Sequence, residues 1–460
     1  MTASRRSLMR RLIAFLALDE FMPIFPVYAL LFAANGLSTA EISSLLVLWS
    51  VVTFVLEVPS GAWADIVSRR LLLCLSSVAY AAAFTTWVLF PVPAGFAAGF
   101  VLWGLSSALS SGTFQALAYD ELAAIGARSE RAFSVSDKAR GREHRSEERA
   151  RSGPPGERSE RAFSVSEEYA RVIGLGTSLA LVAMTLATLL AAPLVALGGY
   201  ALTGWVSVAV CAVQFSVAAS LPATPPVISA SDVNVAEDLA ETDSDAGAPL
   251  SEAESAALRS KAAGFAKRYL HALRVGLREA TRSRVVRGGV LASAALMGLL
   301  AFDEYFGLLL QDQGASPVAI PLLLVIPTAG QAIGGILAAR AAGWTNRRIG
   351  GITVGAGILL ALGALVDHPA GIVAIGLGYG ALQLTIVVSD VRLQDSIAQG
   401  ARATVTSVSG LLAEIVAVLV FASFAWGSAF VSLAALVAIL ATVVVLLGPL
   451  IIRWLPPARA

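Results

Sequence analysis

Two pairs of adjacent acidic residues lie inside long apolar stretches of this sequence. Asp19-Glu20 lies in the first stretch, Asp303-Glu304 lies in a stretch of the second half, and Glu414 is a further acid in an apolar segment near the C-terminus. A charged carboxylate inside a membrane helix costs ~2.5 kcal/mol or more, so such acids face a polar cavity, bind a cation or carry a proton. The alternative is a neutral carboxyl group that hydrogen-bonds to a neighbouring helix and only stabilises its packing. Both interpretations apply to all five acids.

The composition indicates a membrane protein. Hydrophobic residues make up 57% of the 460 residues, charged residues make up only 14%, and the mean hydropathy is +0.75. Lysine and arginine are absent from six gaps, each long enough for two helices of ~20 apolar residues and each interrupted near its middle by a short break. The gaps run between Arg11 and Arg69, Arg70 and Arg128, Arg171 and Arg259, Arg287 and Arg340, Arg348 and Arg392, and Arg402 and Arg453. Six gaps predict twelve membrane crossings.

The positions of the cations also predict the orientation. Every cationic segment falls on one side of the predicted bundle, and the positive-inside rule assigns that side, with both termini, to the cytoplasm. The first apolar run continues to about Ala34 without a convincing cleavage site, so we expect an uncleaved first helix rather than a signal peptide. Arginine far outnumbers lysine and alanine is abundant, which is typical of high-GC bacterial coding. We therefore expect a multi-pass protein of a bacterial plasma (inner) membrane.

The polar stretch between the second and third predicted crossings carries a recognisable motif. It contains Gly61, Ala64, Asp65, Arg69 and Arg70. This pattern resembles motif A of the major facilitator superfamily, Gly-x-Leu-Ala-Asp-Arg-x-Gly-Arg-Lys, which joins the second and third helices in that family. The resemblance implies a polar loop that acts as a conformational gate.

The fourth predicted crossing ends in a small-residue patch followed by Tyr119-Asp120, which also resembles this family. In the family an acid at this position interacts with the motif A charges, so the resemblance implies a gate cluster of Asp65, Arg69 and Asp120. Such a cluster stabilises one conformation and separates in another. The alternative is that the three charges only contact water and lipid headgroups at the interface.

The two halves of the chain echo each other. Asp19-Glu20-Phe21 corresponds to Asp303-Glu304-Tyr305, and the segment from Gly61 to Asp65 corresponds to the segment from Gly335 to Ala339, in which the acid is lost. We predict an all-α membrane protein with twelve transmembrane helices in two pseudo-symmetric halves of six, the major facilitator fold. The predicted division is 1–127 (crossings 1–4), 128–168 (a cytoplasmic insertion with a duplicated nonapeptide), 169–221 (crossings 5–6), 222–284 (a central cytoplasmic loop) and 285–460 (crossings 7–12).

Part of the sequence is similar to drug exporters of the superfamily. Arg402-Ala403-Thr404-Val405 at the start of the eleventh crossing is the residue pattern that carries this similarity. Two motifs common in proton-coupled exporters are missing, since the fourth crossing has no arginine and the fifth has no Gly-Pro-rich pattern. The sequence contains no Gly-x-x-x-x-Gly-Lys-Ser/Thr loop, so ATP-driven pumping is not supported.

Further residues are candidates for lining a substrate cavity, although each is equally suited to facing lipid or packing against another helix. These candidates are Phe25, Tyr28, Gln115, Tyr305 and Gln331. We expect no metal site and no cofactor.

The function that these features favour is secondary active transport by alternating access, with proton-coupled export of a small amphipathic or drug-like molecule by a monomer in the lipid bilayer. The alternatives are an importer or uniporter of a small metabolite and, more distantly, a receptor or scaffold built on a transporter fold. An intramembrane enzyme is disfavoured because all three histidines lie in predicted loops. No feature indicates nucleic-acid binding.

Overall fold

The computed structural model describes residues 3–125, 165–222, 283–397 and 402–457. Within these ranges the side chains of residues 3–4, 57–62, 64–66, 165–167, 170 and 402–404 are outside the description. All regular secondary structure in these ranges is α-helical or 3₁₀-helical. The predicted insertion at 128–168 and the predicted central loop at 222–284 lie almost wholly outside the described residues.

The first half contains the helices of predicted crossings 1–6. They are α1 (Ala3–Glu20) and α2 (Tyr28–Ala34) in crossing 1, α3 (Thr39–Ile66) in crossing 2, α4 (Arg69–Leu89) in crossing 3, α5 (Pro93–Ser110) and α6 (113–125) in crossing 4, and α7 (Val165–Ala219) in crossings 5 and 6.

The second half contains the helices of predicted crossings 7–12. They are α8 (Arg284–Leu299), a 3₁₀ helix (Leu300–Tyr305) and α9 (Phe306–Asp312) in crossing 7, then α10 (Ala319–Ala341), α11 (Asn346–Leu365), α12 (Gly371–Ser396), α13 (Arg402–Gly427) and α14 (Leu433–Trp454) in crossings 8–12.

Ten helical stretches within the described residues are long and apolar enough to cross a membrane. One of them, Arg171–Ala219, has 49 residues. At 1.5 Å per residue it would be about 74 Å long, more than twice the ~30 Å hydrocarbon core. Gly198 and Gly199 interrupt it, and Gly199 has a φ of 65°, which favours glycine. This stretch therefore counts as two crossings, and crossing 1, which is interrupted, adds a twelfth to the eleven so obtained. The described residues agree with twelve crossings, and the predicted all-α membrane architecture is confirmed.

The breaks between crossings divide between two faces of the bundle. We call the face where α1 begins the terminal face, and it also holds the breaks at 67–68 and 342–345. The breaks at 35–38, 90–92, 313–318 and 366–370 then lie on the opposite face, because consecutive crossings alternate in direction.

Crossings 1 and 7 are both interrupted at their pair of acids. α1 ends at Glu20, and residues 21–27 form turns because Pro23 and Pro26 lack an N–H and do not fit inside a helix. Two prolines this close together in an apolar run favour a kink beside the acids, and the structure has a complete break of the helix instead. Crossing 7 has no proline, and it instead tightens into the 3₁₀ helix that contains Asp303 and Glu304.

Glycines bring α10 and α12 into backbone contact. A Cβ on Gly330 would lie 2.1 Å from the carbonyl oxygen of Gly376, and a Cβ on Gly334 would lie 1.9 Å from that of Gly380. The four-residue spacing of Gly330 and Gly334 places both glycines on one face of α10, which is typical of helices in close contact.

Gly334→Val will destabilise the second half because the added side chain meets backbone that cannot move aside. Overpacking of this kind typically costs ~1–3 kcal/mol, so the melting temperature of the purified protein will fall. The matched control is Gly335→Val, since a Cβ on Gly335 meets nothing within 4 Å. Equal melting temperatures for the two variants would contradict the close packing.

Candidate functional site

A cavity of about 550 Å³ lies between the two halves. Crossings 1 to 5 line it from the first half, and crossings 7, 8 and 10 line it from the second. All four paired acids, Asp19, Glu20, Asp303 and Glu304, are among its lining residues. The breaks in crossings 1 and 7 thus bring both repeats of the acidic motif to one cavity.

The acids of the first half differ in their partners. Gln214, fully buried on crossing 6, donates a 2.8 Å hydrogen bond from Nε2 to Oδ1 of Asp19. Glu20 follows directly at the end of α1 and also faces the cavity. The two adjacent carboxyl groups therefore have different surroundings.

The acids of the second half both accept hydrogen bonds from tyrosines. Tyr379 on crossing 10 donates to Oδ2 of Asp303 over 2.7 Å. Tyr28 on crossing 1 donates to Oε2 of Glu304 over 2.5 Å. The first bond lies within the second half, whereas the second joins the two halves.

A second hydrogen bond between the halves lies next to the first. The Tyr305 hydroxyl donates to Oγ of Ser43 on crossing 2 over 2.8 Å. The Tyr305 ring stacks on Phe424, with ring centroids 3.5 Å apart. Ser43 is close to the start of α3, so this bond lies toward the opposite face of the bundle. The contacts joining crossings 1 and 2 to crossing 7 therefore hold the halves together on that side.

Aromatic side chains form a continuous wall on the first-half side of the cavity. Phe25 stacks on Trp103 with centroids 5.2 Å apart and planes 13° apart. Trp49 and Tyr80 also contact Trp103, at 5.4 Å and 6.0 Å between centroids. All four side chains line the cavity. We call this set the aromatic wall.

Three of the five cavity candidates from the sequence lie at the cavity, and two do not. Phe25, Tyr28 and Gln331 line it. Tyr305 is instead fully buried because it packs on Phe424. Gln115 is exposed, since it lies beyond the break at 111–112 and near the terminal face.

Glu414 is also separated from the four cavity acids. It is half-buried on α13 and is not among the residues that line the cavity. This arrangement gives it a different environment from the two acidic pairs.

Sequence reasoning did not single out four residues that complete this site: Trp49, Tyr80, Gln214 and Tyr379. Tyrosine and tryptophan usually lie at the membrane interfaces. The positions of Tyr80 and Tyr379 well inside their crossings could therefore have indicated residues of a polar site. Gln214 was detectable in the same way, as a polar side chain inside an apolar helix.

Two members of the predicted gate cluster are in contact. Arg69, in the first turn of α4, forms an ion pair with Asp120 on α6. Arg70 is the next residue of α4 and is half-buried. The side chains of Gly61 and Asp65 lie outside the described residues, so the structure brings together only the Arg69–Asp120 part of the cluster.

Crossing 10 carries a buried arginine near its end on the terminal face. Arg392 on crossing 10 is 3% exposed, and its guanidinium donates to Oδ1 of Asn346 over 2.7 Å and to the carbonyl oxygen of Ala342 over 3.0 Å. It also donates to the carbonyl oxygens of Trp344 and Pro456. Arg392 therefore connects the break between crossings 8 and 9 to Pro456, which follows crossing 12.

Arg392→Met will destabilise the second half. The substitution leaves several carbonyl oxygens without their donor, and each buried polar group left unpaired costs ~1–3 kcal/mol. We expect a clearly lower melting temperature by tryptophan fluorescence. Arg347→Met, at an exposed arginine in the first turn of α11, is the control and will leave the melting temperature unchanged. A melting temperature unaffected by Arg392→Met would show that these hydrogen bonds do not support the fold.

Comparison with known proteins gives structural matches only. No protein-family model matches the sequence, and no curated protein matches it. The nucleoside transporter NupG shares 11% identity, with a TM-score of 0.64 over 97% of this chain and 99% of that chain. A bacterial homologue of the iron transporter ferroportin, in an inward-facing state, shares 12% identity with a TM-score of 0.63 over 99% of both chains. A D-xylose-proton symporter shares 12% identity with a TM-score of 0.61 over 98% of both chains.

These likenesses extend over nearly the whole chain. They confirm the predicted major facilitator fold, since the matched transporters share that architecture. At 11–12% identity they establish the fold alone, and the similarity to drug exporters stays a prediction. The chain is thus a multi-pass membrane protein with a transporter fold and a cavity between its two halves.

Proposed function

We propose that this protein is a proton-coupled secondary transporter that exports a small amphipathic molecule by alternating access. One observation carries the proposal: four carboxyl groups line a single cavity between the halves, and one of them, Glu304, hydrogen-bonds across the halves to Tyr28. A carboxyl group in that position can link its own protonation to the relative position of the halves. The proposal describes a transporter rather than an enzyme.

The coupling follows from the strength of the bond between the halves. A hydroxyl that donates to a charged carboxylate makes a hydrogen bond roughly twice as strong as one to a neutral acceptor. Protonation of Glu304 removes the charge and weakens the Tyr28–Glu304 bond. Asp303 is the adjacent acid and Tyr379 donates to it, so it shares the proton equilibrium. Protonation therefore favours separation of the halves on the opposite face.

We assign the terminal face to the cytoplasm, because the cation-rich segments lie there. The opposite face, where Tyr305 bonds to Ser43, is then the outer one. The Arg69–Asp120 pair lies within the first half on the cytoplasmic side. It is formed in the same structure that has the outer contacts between the halves, so we propose that it supports that state. Two halves that rock about a central cavity are the established way in which this fold alternates its access.

The direction of transport is the finer part of the proposal. Export is supported by the similarity of the segment that starts at Arg402 to drug exporters. A nucleoside transporter and a proton symporter share the fold, so the fold accommodates other directions and substrates. Import of a small metabolite is the second candidate, since acids in the same cavity serve uptake equally well.

The proposal can be tested without knowing the substrate. Spin labels at Val92 and Asp367 report the separation of the halves on the outer side, and labels at Ser68 and Arg347 report it on the cytoplasmic side. Lowering the pH from mildly alkaline to mildly acidic will lengthen the outer distance and shorten the cytoplasmic one. Both distances are measured by double electron–electron resonance in a chain whose native cysteines are replaced. Distances that do not respond to pH, or that change together, would refute proton-linked alternating access.

Variants identify the groups that respond. Asp303→Asn with Glu304→Gln mimics the protonated pair, so it will hold the long outer distance at both pH values. Glu414→Gln is the matched control, because Glu414 is a membrane-embedded acid away from the cavity, and it will leave the pH response intact. A lost response in the control would move the coupling site away from the cavity.

The ion pair on the cytoplasmic side makes a separate prediction. Arg69→Gln and Asp120→Asn will each reduce the population with a short outer distance, by up to ~1 kcal/mol or about fivefold in the ratio of states, because the pair is only partly buried. The charge-exchanged double variant Arg69→Asp with Asp120→Arg will restore part of that population. Single variants that behave as the parent chain would leave the two residues as interfacial charges only.

A further inference from the structure

The four cavity acids are not equivalent in their hydrogen bonding. Asp19, Asp303 and Glu304 each accept a hydrogen bond from a buried amide or tyrosine of this chain. Glu20 differs, since no hydrogen bond or oppositely charged side chain meets its carboxylate within the described residues. Its carboxylate lines the cavity, so the group it can pair with comes from the cavity itself.

The surroundings of Glu20 are suited to a cation. The break after α1 turns the chain so that Phe25 follows within five residues, and its ring belongs to the aromatic wall. Tyr80, another member of that wall, lines the same cavity as Glu20. The faces of aromatic rings attract cations, most strongly where water is excluded, and quaternary ammonium groups are recognised in this way.

The charge of the cavity points in the same direction. Among the described residues that line it there is no lysine, arginine or histidine, whereas there are four acids. An anionic ligand would face these acids without a compensating charge. A cationic ligand gains both an ion pair with Glu20 and contact with the aromatic rings.

We propose that Glu20 and the aromatic wall form a subsite for the cationic centre of an organic cation that carries aromatic or other apolar groups. This inference rests on the proposed function and names the substrate class. It also separates two roles within the four acids. Glu20 pairs with the substrate, while Asp303 and Glu304 link the halves and respond to protons. Asp19 is held by Gln214 and supports the negative potential beside Glu20.

The test uses two ions of the same shape and opposite charge, tetraphenylphosphonium and tetraphenylborate. Each is titrated separately against the purified protein in detergent, and binding is followed by the fluorescence of the cavity tryptophans Trp49 and Trp103. We expect saturable binding of the phosphonium cation and at least about tenfold weaker binding of the borate anion. Equal binding of the two ions, or no saturable binding of the cation, would overturn the inference.

Variants locate the binding. Glu20→Gln will weaken phosphonium binding by about tenfold or more, since it removes the only cavity carboxylate without a partner in the described chain. Glu20→Asp keeps the charge and will restore most of the affinity, which excludes a general loss of folding. Glu414→Gln is the control for an acid away from the cavity. Unchanged affinity in Glu20→Gln would overturn the assignment of Glu20.

The outcome is separable from that of the proposed function. Binding in detergent needs no proton gradient and no movement of the halves, whereas the spin-label distances need no ligand. Absent phosphonium binding with intact pH-dependent distances overturns the cation subsite alone. Phosphonium binding by a chain whose spin-label distances do not change with pH overturns proton-linked alternating access alone.

Discussion

The hydrogen bond from Tyr28 to Glu304 is the interaction on which the rest of this account depends. It joins a broken helix of the first half to a broken helix of the second half, beside a cavity that contains the other acids. A charged carboxylate at this depth is costly unless a hydrogen-bond donor or a cation pairs with it or a proton neutralises it. Glu304 therefore has two stable states, one charged with Tyr28 as its donor and one protonated. Only the charged state holds the halves tightly together.

The breaks in crossings 1 and 7 make this contact possible. In a continuous helix the backbone groups hydrogen-bond to one another, whereas a break exposes backbone groups and turns side chains toward a cavity. Such a break at membrane depth is tolerated only where protein or water surrounds the exposed backbone. The halves achieve the break differently, with prolines in one and a 3₁₀ turn in the other. Their terminal faces differ as well. A partly exposed ion pair links Arg69 to Asp120, whereas Arg392 is buried among several acceptors, so the first half has the contact that can separate more easily.

The sequence predicts the architecture because cation-free gaps and helix lengths are local properties that the membrane itself imposes. It also predicts the importance of both acidic pairs, since they recur in the two halves. It does not predict which helix faces meet. Tyr305 repeats Phe21 in sequence but packs on Phe424, and Gln115 lies past a break that turns it away from the cavity. The partners Gln214 and Tyr379 are distant in the chain from the acids they contact, and only the packing of the helices brings them together.

The most direct measurement is a double-mutant cycle on the outer distance, with Tyr28→Phe, Glu304→Gln and both changes together. If the hydrogen bond between these residues holds the halves, each single change will increase the population with separated halves. The double change will then add little to the larger single effect, because the bond can be lost only once. Effects that add within ~0.3–0.5 kcal/mol would show that the two residues act independently and would contradict the account.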